Sequence, residues 1–150
     1  MYYFAYGSNM NISELKQYCS CKNIKIIGSG YLDNYIFRYR HIKNKLRIKA
    51  KANIEPRKGS KVYGVIIKIE GSIDKLNKKE GLLDFIYLIQ KNLKIHSISD
   101  KKIYNCFSYV MHNDIILEEG YPSLSYCKNI LDAANLFNFP KAYLKRINCY

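Results

Sequence analysis

The sequence predicts an α+β domain in which a closed or nearly closed, antiparallel-rich sheet packs against a few outer helices. Between residues 1 and 111 most apolar stretches are short, rich in β-branched and aromatic residues, and separated by brief connections. Helical periodicity dominates only near the end, over residues 121–147. The chain has 150 residues, an ordinary size for one domain. We therefore predict a single domain over residues 1–150.

The first elements are a strand, a short helix and a pair of strands. Residues 1–6 are β-rich and predict the first strand. Asn11, followed three residues later by Glu14, has the spacing of a capping box and predicts a helix start. The segment 24–40 predicts two strands, with a break near residues 28–34, where glycines and Asn occur.

The clearest strand signal is "LRIKAKANI" at residues 46–54, where apolar and polar residues alternate strictly. The segment 55–60, "EPRKGS", predicts a turn, and the next strand returns over residues 61–70. Two more strands are expected around residues 84–97 and 103–111. The chain then becomes helical, with a longer helix in "PSLSYCKNILDAANLF" and a short one opened by a proline.

Composition places the chain among soluble globular proteins. Hydrophobic residues make up 48% and charged residues 25%. No apolar run is long enough for a bilayer and no signal peptide is apparent, so we predict no membrane partner and a cytoplasmic location. Five cysteines without a paired spacing favour reduced thiols. Cys19 and Cys21 have no second ligand pair, and we predict no metal site.

A net charge of +13 raises nucleic acid as a partner. The lysines are dispersed along the chain, however, and arginine, the better reader of base edges, occurs only five times. We predict no specific nucleic-acid partner and keep a basic, non-enzymatic binding module as an alternative.

The stretch "FAYGSNMN" at residues 4–11 has two interpretations. It is either an ordinary strand-to-helix turn, in which Gly7 supplies positive φ and Asn9 or Asn11 supplies a cap, or a cradle of consecutive backbone N–H groups for an anion. Spacing alone favours the ordinary turn.

Glu80 is the most informative single residue. A helix over residues 72–80 would place Ile73, Leu76 and Glu80 on one face, so that the carboxylate projects from the apolar stripe. It also stands at the C-terminal end of the helix, where the dipole disfavours negative charge. Such broken local rules concentrate at functional sites. The alternative, given equal weight, is that the helix ends one residue early and Glu80 faces solvent.

Several motifs then occur in a characteristic order: "YFAYGSNM" at 3–10, "GYLDNYIFRY" at 30–39, "ANIEPRKGSKVYGVIIKI" at 52–69, "KLNKKEG" at 75–81, Tyr87, "CFSYVM" at 106–111 and "YPSLSYCKNILDAANLFNFPKAYLKRI" at 121–147. In this order they resemble the gamma-glutamylcyclotransferase-like family. "FAYGSN" is similar to the gamma-glutamylcyclotransferase and butirosin-biosynthesis branch, whereas AIG2-type and ChaC-type proteins usually carry a different first loop.

The resemblance implies a small mixed, mostly antiparallel β-barrel with flanking short helices, no cofactor, and a monomer or homodimer. It implies a lyase-type cyclotransferase that converts a small-molecule γ-glutamyl amide into 5-oxoproline and a free amine. By position, it assigns Glu80 as general acid/base. The implied substrate-binding residues are Tyr3, Phe4, Ala5, Tyr6, Gly7, Ser8, Asn9 and Tyr126, with Tyr87 and Tyr109 as further pocket residues.

The sequence departs from the family pattern at two places. Both bear on which leaving group the enzyme prefers more than on the type of reaction. The usual "LDxxEG" is here Leu76 to Gly81 with Asn77 in place of the aspartate, which removes a carboxylate near the base. Where the family often has Gly-Ala in the late helix, this chain has Ala133-Ala134. A specialised γ-glutamyl biosynthetic intermediate therefore stays open as an alternative substrate.

Overall fold

The protein folds into a five-stranded β-barrel with flanking helices. The structure is a computed structural model that describes residues 1–19, 23–43, 45 and 48–149. The elements in chain order are β1 (Tyr2–Ala5), a 3-10 turn (Ser8–Met10), α1 (Ile12–Tyr18), β2 (Asn23–Ile42), β3 (Lys51–Glu70), α2 (Asp74–Lys79), β4 (Tyr87–Ser97), β5 (Ile103–Met111), a second 3-10 turn (Asn113–Ile115), β6 (Ile116–Glu119), α3 (Leu124–Leu136) and α4 (Lys141–Ile147).

The barrel is closed because its two end strands pair with each other. The order is β3-β1-β5-β4-β2, and β2 pairs with β3 to complete the ring, while β6 extends the sheet from β2. Only the β1–β5 pairing, through Tyr3 and Phe107, is parallel among the described strands. The prediction of a small mixed, mostly antiparallel barrel with flanking short helices is confirmed.

Strands β2 and β3 are longer than the sequence predicted. Segment 24–40 is not two strands: β2 runs through it, and the expected break is two register shifts, between Ile26 and Gly28 and between Asp33 and Tyr35. Glycine and Asn thus mark bulges here and not a chain reversal. Likewise, residues 55–60 do not separate two strands, because β3 runs through them. Residues 57–60 lie between the paired positions Pro56 and Lys61, opposite Asn34 of β2.

The strand predicted over residues 46–54 begins only at Lys51, where β3 first pairs with β2. Two of its residues, Leu46 and Arg47, lie outside the described residues.

Two glycines allow neighbouring strands to approach closely. A Cβ added at Gly64 of β3 would lie 2.5 Å from the Ala5 carbonyl oxygen, and one at Gly30 of β2 would lie 2.8 Å from the His96 carbonyl oxygen. No real side chain tolerates such contacts, so these positions require glycine. They bring β1 against β3 and β4 against β2, and so keep the barrel narrow.

The core fills the barrel and the space beneath the helices. Apolar residues of β1 and β3, such as Phe4, Ile66 and Ile67, are fully buried. Helix α3 adds Ile130 and Ala134 from one face, as the predicted apolar stripe requires. These residues form one close-packed interior that connects the barrel to α3.

The prediction of reduced thiols is wrong for part of the chain. Cys127 of α3 is joined by a disulfide to Cys149, which lies beyond α4, with Cα atoms 6.4 Å apart. Cys19 is also disulfide-bonded, Cys106 is free and buried, and Cys21 lies outside the described residues. Spacing missed the Cys127–Cys149 pair because α3 and α4 bring together residues 22 positions apart.

Membrane-spanning helices and metal-binding clusters are both absent from the described residues. No helix in that part of the chain has the length and apolar character needed to cross a membrane. No group of three or more His, Cys, Asp or Glu side chains there is placed to hold a metal ion.

Candidate active site

A small cavity lies at one end of the barrel, where segments far apart in sequence meet. It has about 290 Å³ of empty space, its open mouth included. Its walls come from β1 and the following turn, β3, the end of α2, β4, β5 and α3. The lining residues are Tyr3, Tyr6, Gly7, Ser8, Asn9, Ala52, Glu80, Tyr87, Tyr109 and Tyr126.

The first loop turns directly from β1 into a 3-10 turn. Met10 N–H donates to the Gly7 carbonyl oxygen and Asn11 N–H to the Ser8 carbonyl oxygen, both at 3.0 Å. The N–H groups that precede Met10 stand at the start of this turn, where a helical turn has no acceptor of its own to offer them. The anion-cradle interpretation is therefore compatible with the backbone.

Gly7 has a different role from the one expected of an ordinary turn. Its φ is −121°, so the prediction of positive φ at Gly7 is wrong. A Cβ added there would lie 3.4 Å from the Ala52 Cβ and 3.9 Å from the Tyr126 hydroxyl oxygen. Glycine thus leaves space inside the cavity. The cap is Asn11, whose side-chain oxygen accepts a hydrogen bond from Glu14 N–H at 3.2 Å.

Glu80 directs its carboxylate into the cavity even though its helix ends one residue early. Helix α2 stops at Lys79, and Glu80 N–H still donates to the Leu76 carbonyl oxygen at 2.9 Å. Leu76 is fully buried below it, and Gly81 follows with φ +70°. Of the two predicted orientations, the structure has the inward one, because the last helical hydrogen bond holds Glu80 on the face of Leu76.

Asn9 connects the first loop to this carboxylate. Its side chain is only 4% exposed. Its Nδ2 donates to Glu80 Oε1 at 2.7 Å and to the Tyr3 hydroxyl oxygen at 2.8 Å, and its Oδ1 accepts from Lys79 Nζ at 2.5 Å. All of the polar atoms of the amide are therefore used, and the loop and the carboxylate are held in one arrangement.

Opposing effects act on the pKa of Glu80. Burial raises it above the ordinary value of a glutamate, and this is the largest effect. The positive charge of Lys79, the hydrogen bond from Asn9 and the charge of Lys51 lower it, in that order. The net direction is upward, so Glu80 is a stronger base than a solvated glutamate.

Two tyrosines of the cavity wall hydrogen-bond to the backbone of β3. The Tyr126 hydroxyl oxygen accepts from Ala52 N–H at 3.2 Å, and the Tyr87 hydroxyl donates to the Ala52 carbonyl oxygen at 2.6 Å. Burial raises the pKa of both phenols, so they are neutral at physiological pH. They can hydrogen-bond a substrate, and neither is a base.

Two more tyrosines complete the lining. The Tyr6 hydroxyl donates to the Tyr109 carbonyl oxygen at 2.5 Å, and the Tyr109 hydroxyl donates to Asn77 Oδ1 at 2.6 Å. Asn77 is the residue that replaces the expected aspartate, and here its amide oxygen serves as acceptor for Tyr109 without adding a charge.

The predicted residues meet in this cavity with two exceptions. Phe4 and Ala5 were predicted to bind substrate, but both side chains are fully buried in the core and do not line the cavity. Of the predicted residues on β1, only Tyr3 lines the cavity, together with the residues from Tyr6 to Asn9 that follow the strand.

Sequence reasoning missed Ala52 and the two lysines near Glu80. Ala52 belongs to the alternating segment 46–54, but nothing in that pattern marked it as part of the cavity wall. Lys51 lies with its Nζ 4.2 Å from the centre of the Tyr126 ring. Lys79 contacts Asn9 across a tertiary interface, which one-dimensional periodicity does not show.

Comparisons with known proteins agree with this architecture. A profile of the AIG2-like family matches residues 61–147. A search of curated protein sequences found no match. The family match begins after the first loop, so the predicted branch within the family, which rests on "FAYGSN", stays a prediction.

Solved structures share the fold at low sequence identity. A protein titled gamma-glutamyl cyclotransferase is 22% identical, with 98% of this chain and 85% of that chain covered and a TM-score of 0.83. An uncharacterized protein from Homo sapiens is 24% identical, with 97% and 85% covered and a TM-score of 0.82. A yeast gamma-glutamyl cyclotransferase specific to glutathione is 9% identical, with 98% and 93% covered and a TM-score of 0.68.

Proposed function

This chain belongs to the AIG2-like family, and we propose that it is a γ-glutamyl cyclotransferase, which converts a γ-glutamyl amide into 5-oxoproline and a free amine. The observation that carries the proposal is the partly buried Glu80 carboxylate, held by Asn9 at 2.7 Å and facing a cavity. The names of the structural neighbours support the same activity class.

The reaction is a ring closure within the substrate. The free α-amine attacks its own δ-carbonyl carbon, a new C–N bond closes a five-membered lactam, and the C–N bond to the leaving amine breaks. No water is consumed and no group is oxidised or reduced, so the step needs no cofactor. Because nucleophile and carbonyl belong to one molecule, the enzyme has to hold the reactive rotamer and move protons.

Glu80 accounts for the proton movements. The α-amine must lose a proton as it attacks, and the leaving amine must gain one as it departs, so a single carboxylate can accept the first and return it to the second. Among the described residues, no histidine or cysteine lines the cavity. The lining tyrosines are neutral, and burial raises the pKa of the Glu80 carboxyl, which makes Glu80 the lining group best suited to act as a base.

The first loop supplies donors for negative charge. The tetrahedral intermediate carries an oxyanion, and the substrate also carries an α-carboxylate. Backbone N–H groups around Gly7, Ser8 and Asn9 bind such groups without reorganisation, since the 3-10 turn already fixes them. The surrounding tyrosines exclude water and shape the space in which the γ-glutamyl chain folds back on itself.

A product assay tests the reaction class. The protein is incubated with a panel of γ-glutamyl dipeptides and γ-glutamyl amines, and both 5-oxoproline and glutamate are measured. We expect 5-oxoproline from at least one compound and no glutamate. The panel also separates a general γ-glutamyl amino acid substrate from a specialised γ-glutamyl amine.

Two matched compounds show whether the α-amine is the nucleophile. An N-acetylated γ-glutamyl compound should be inert, since its amine is blocked, and an α-linked glutamyl dipeptide should be inert because its amide cannot form the lactam. Release of glutamate, or turnover of the acetylated compound, would identify an amidase that activates water and would refute the proposal.

A further inference from the structure

Lys79 lies beside the candidate active site without lining it. Its side chain is 19% exposed, low for a lysine. Its Nζ donates to Asn9 Oδ1, lies 3.9 Å from Glu14 Oε1 and stands 4.6 Å from the centre of the Tyr18 ring. The ammonium group is therefore held by an amide oxygen, a carboxylate and an aromatic face, all contributed by the first loop and α1.

The contact with Asn9 fixes which way the amide faces. An ammonium group has only donors, so the atom that contacts Lys79 must be the amide oxygen. The Nδ2 group then points to the other side, where it donates to Glu80 Oε1 and the Tyr3 hydroxyl oxygen. A rotated amide would place donor against donor at Lys79 and oxygen against carboxylate at Glu80. Both contacts are repulsive, so one orientation is strongly favoured.

Glu14 in turn is anchored to other elements. Asn129 Nδ2 of α3 donates to Glu14 Oε2 at 2.8 Å, and Asn11 Nδ2 donates to Asn129 Oδ1 at 2.8 Å. This network ties α1, α3 and the first loop together. Lys79 therefore contacts a rigid acceptor set and not a mobile surface carboxylate.

We propose that Lys79 is a positioning residue for the cyclotransferase reaction: through Asn9, it holds the Glu80 carboxylate in one orientation toward the cavity. This inference rests on the proposed function, because positioning has a kinetic consequence only if Glu80 moves protons. Lys79 itself touches no reacting atom.

Lys79 also acts on Glu80 through its charge. Among the cations, it has the largest lowering effect on the pKa of Glu80. Lys51 lowers the same pKa and Glu14 raises it. The charged and titratable groups that face Glu80 are Lys79 from α2, Lys51 from β3, Glu14 from α1, and the tyrosines Tyr3, Tyr6, Tyr87, Tyr109 and Tyr126.

The test compares Lys79→Met with Lys79→Arg and a matched control, Lys78→Met. Methionine keeps an unbranched apolar side chain but removes the charge and the donor. Arginine keeps both. Lys78 is exposed and adjacent, so its substitution makes the same change in composition away from Asn9.

The pH dependence of kcat/KM is the deciding measurement. With Lys79→Met, the acidic limb should move to higher pH by about one unit, since a nearby opposite charge lowers a carboxyl pKa by about 1–3 units. We expect kcat/KM on the acidic limb to fall about 10-fold, because one pH unit is a factor of about ten there, with Lys79→Arg restoring most of it and Lys78→Met matching wild type. A merely structural role would lower thermal stability without moving the pH profile.

A direct titration keeps the inference testable if the proposed function fails. Absence of 5-oxoproline from every γ-glutamyl compound, with wild-type protein, would refute the function and not the positioning. In that case the Glu80 carboxyl is titrated by NMR with carboxyl-labelled glutamate, assigned by comparison with Glu80→Gln. An unchanged Glu80 titration or an unchanged pH profile in folded Lys79→Met would overturn the inference.

Discussion

Replacing Glu80 by glutamine separates proton transfer from shape. The glutamine carbonyl oxygen can still accept the hydrogen bond that Asn9 Nδ2 now makes to Oε1 at 2.7 Å. The side-chain length is unchanged, so the cavity is retained. What is lost is a group that can take a proton from the α-amine and return it to the leaving amine.

The expected size of the effect follows from that loss. Positioned general acid–base catalysis contributes roughly 10²–10⁴-fold, so turnover by Glu80→Gln should fall by about that factor. This corresponds to about 3–5 kcal/mol of transition-state stabilisation. The substrate's KM should change much less, because the loop donors and tyrosines are unaltered.

Glu80→Gln should lower the activity without lowering the free energy of unfolding. Burial raises the pKa of Glu80, so the folded state binds its proton more tightly than the unfolded chain does. The free energy of unfolding therefore falls as pH rises from the unfolded pKa through the folded one, and that loss is complete at higher pH. Glutamine carries no such cost, so Glu80→Gln should be at least as stable as wild type above this window.

The assay is 5-oxoproline release from whichever γ-glutamyl compound the panel identifies, together with a thermal unfolding midpoint. Glu118→Gln is the matched control, because Glu118 is exposed on β6 and does not line the cavity. Near-wild-type turnover in a folded Glu80→Gln protein would remove Glu80 from the mechanism.

Three further substitutions test the cavity wall, the disulfide and the relative effects of Lys51 and Lys79 on Glu80. Tyr126→Phe removes the acceptor of a β3 backbone N–H and should cost about 1 kcal/mol of stability; an unchanged unfolding midpoint would show that water replaces the hydroxyl. Cys149→Ser opens the bond to Cys127 and should cost about 3 kcal/mol in urea denaturation without reductant, so an unchanged midpoint would contradict the pairing. Lys51→Met should move the acidic limb of kcat/KM to higher pH, but by less than Lys79→Met does, since Lys51 lowers the pKa of Glu80 less than Lys79 does. A larger shift with Lys51→Met would refute this order of the two lysines.

Local patterns predicted the main feature of the candidate site and not its surroundings. The 3.6-residue period placed Glu80 on the face of Leu76, and the structure has it there despite the early helix end. Lys79 is one position earlier, about 100° around the helix, where periodicity indicates an ordinary surface lysine. Its role depends on α1 packing beside α2, which no local signal encodes.

The barrel shows the same division between local and long-range information. Alternation and turn residues identified the strand-forming regions, but a bulge and a chain reversal use the same residue types, so β2 was predicted as two strands. Closure of the barrel depends on the parallel pairing of Tyr3 with Phe107, about a hundred residues apart. It also depends on Gly30 and Gly64, whose need for glycine is evident only when the position of the neighbouring strand is known.

The proposed role of Glu80 as a base places two conflicting demands on its carboxylate. Burial alone strengthens the base but also favours its protonated form, which cannot accept a proton. The hydrogen bond from Asn9 and the charge of Lys79 lower the pKa of Glu80 against the larger effect of burial, so both favour the ionised form of a desolvated carboxylate. Because Asn9 belongs to the first loop, the turn that we propose binds an anion also contacts the proposed base, 71 residues away in sequence. Binding and proton transfer at this site should therefore fail together when Asn9 loses its orientation.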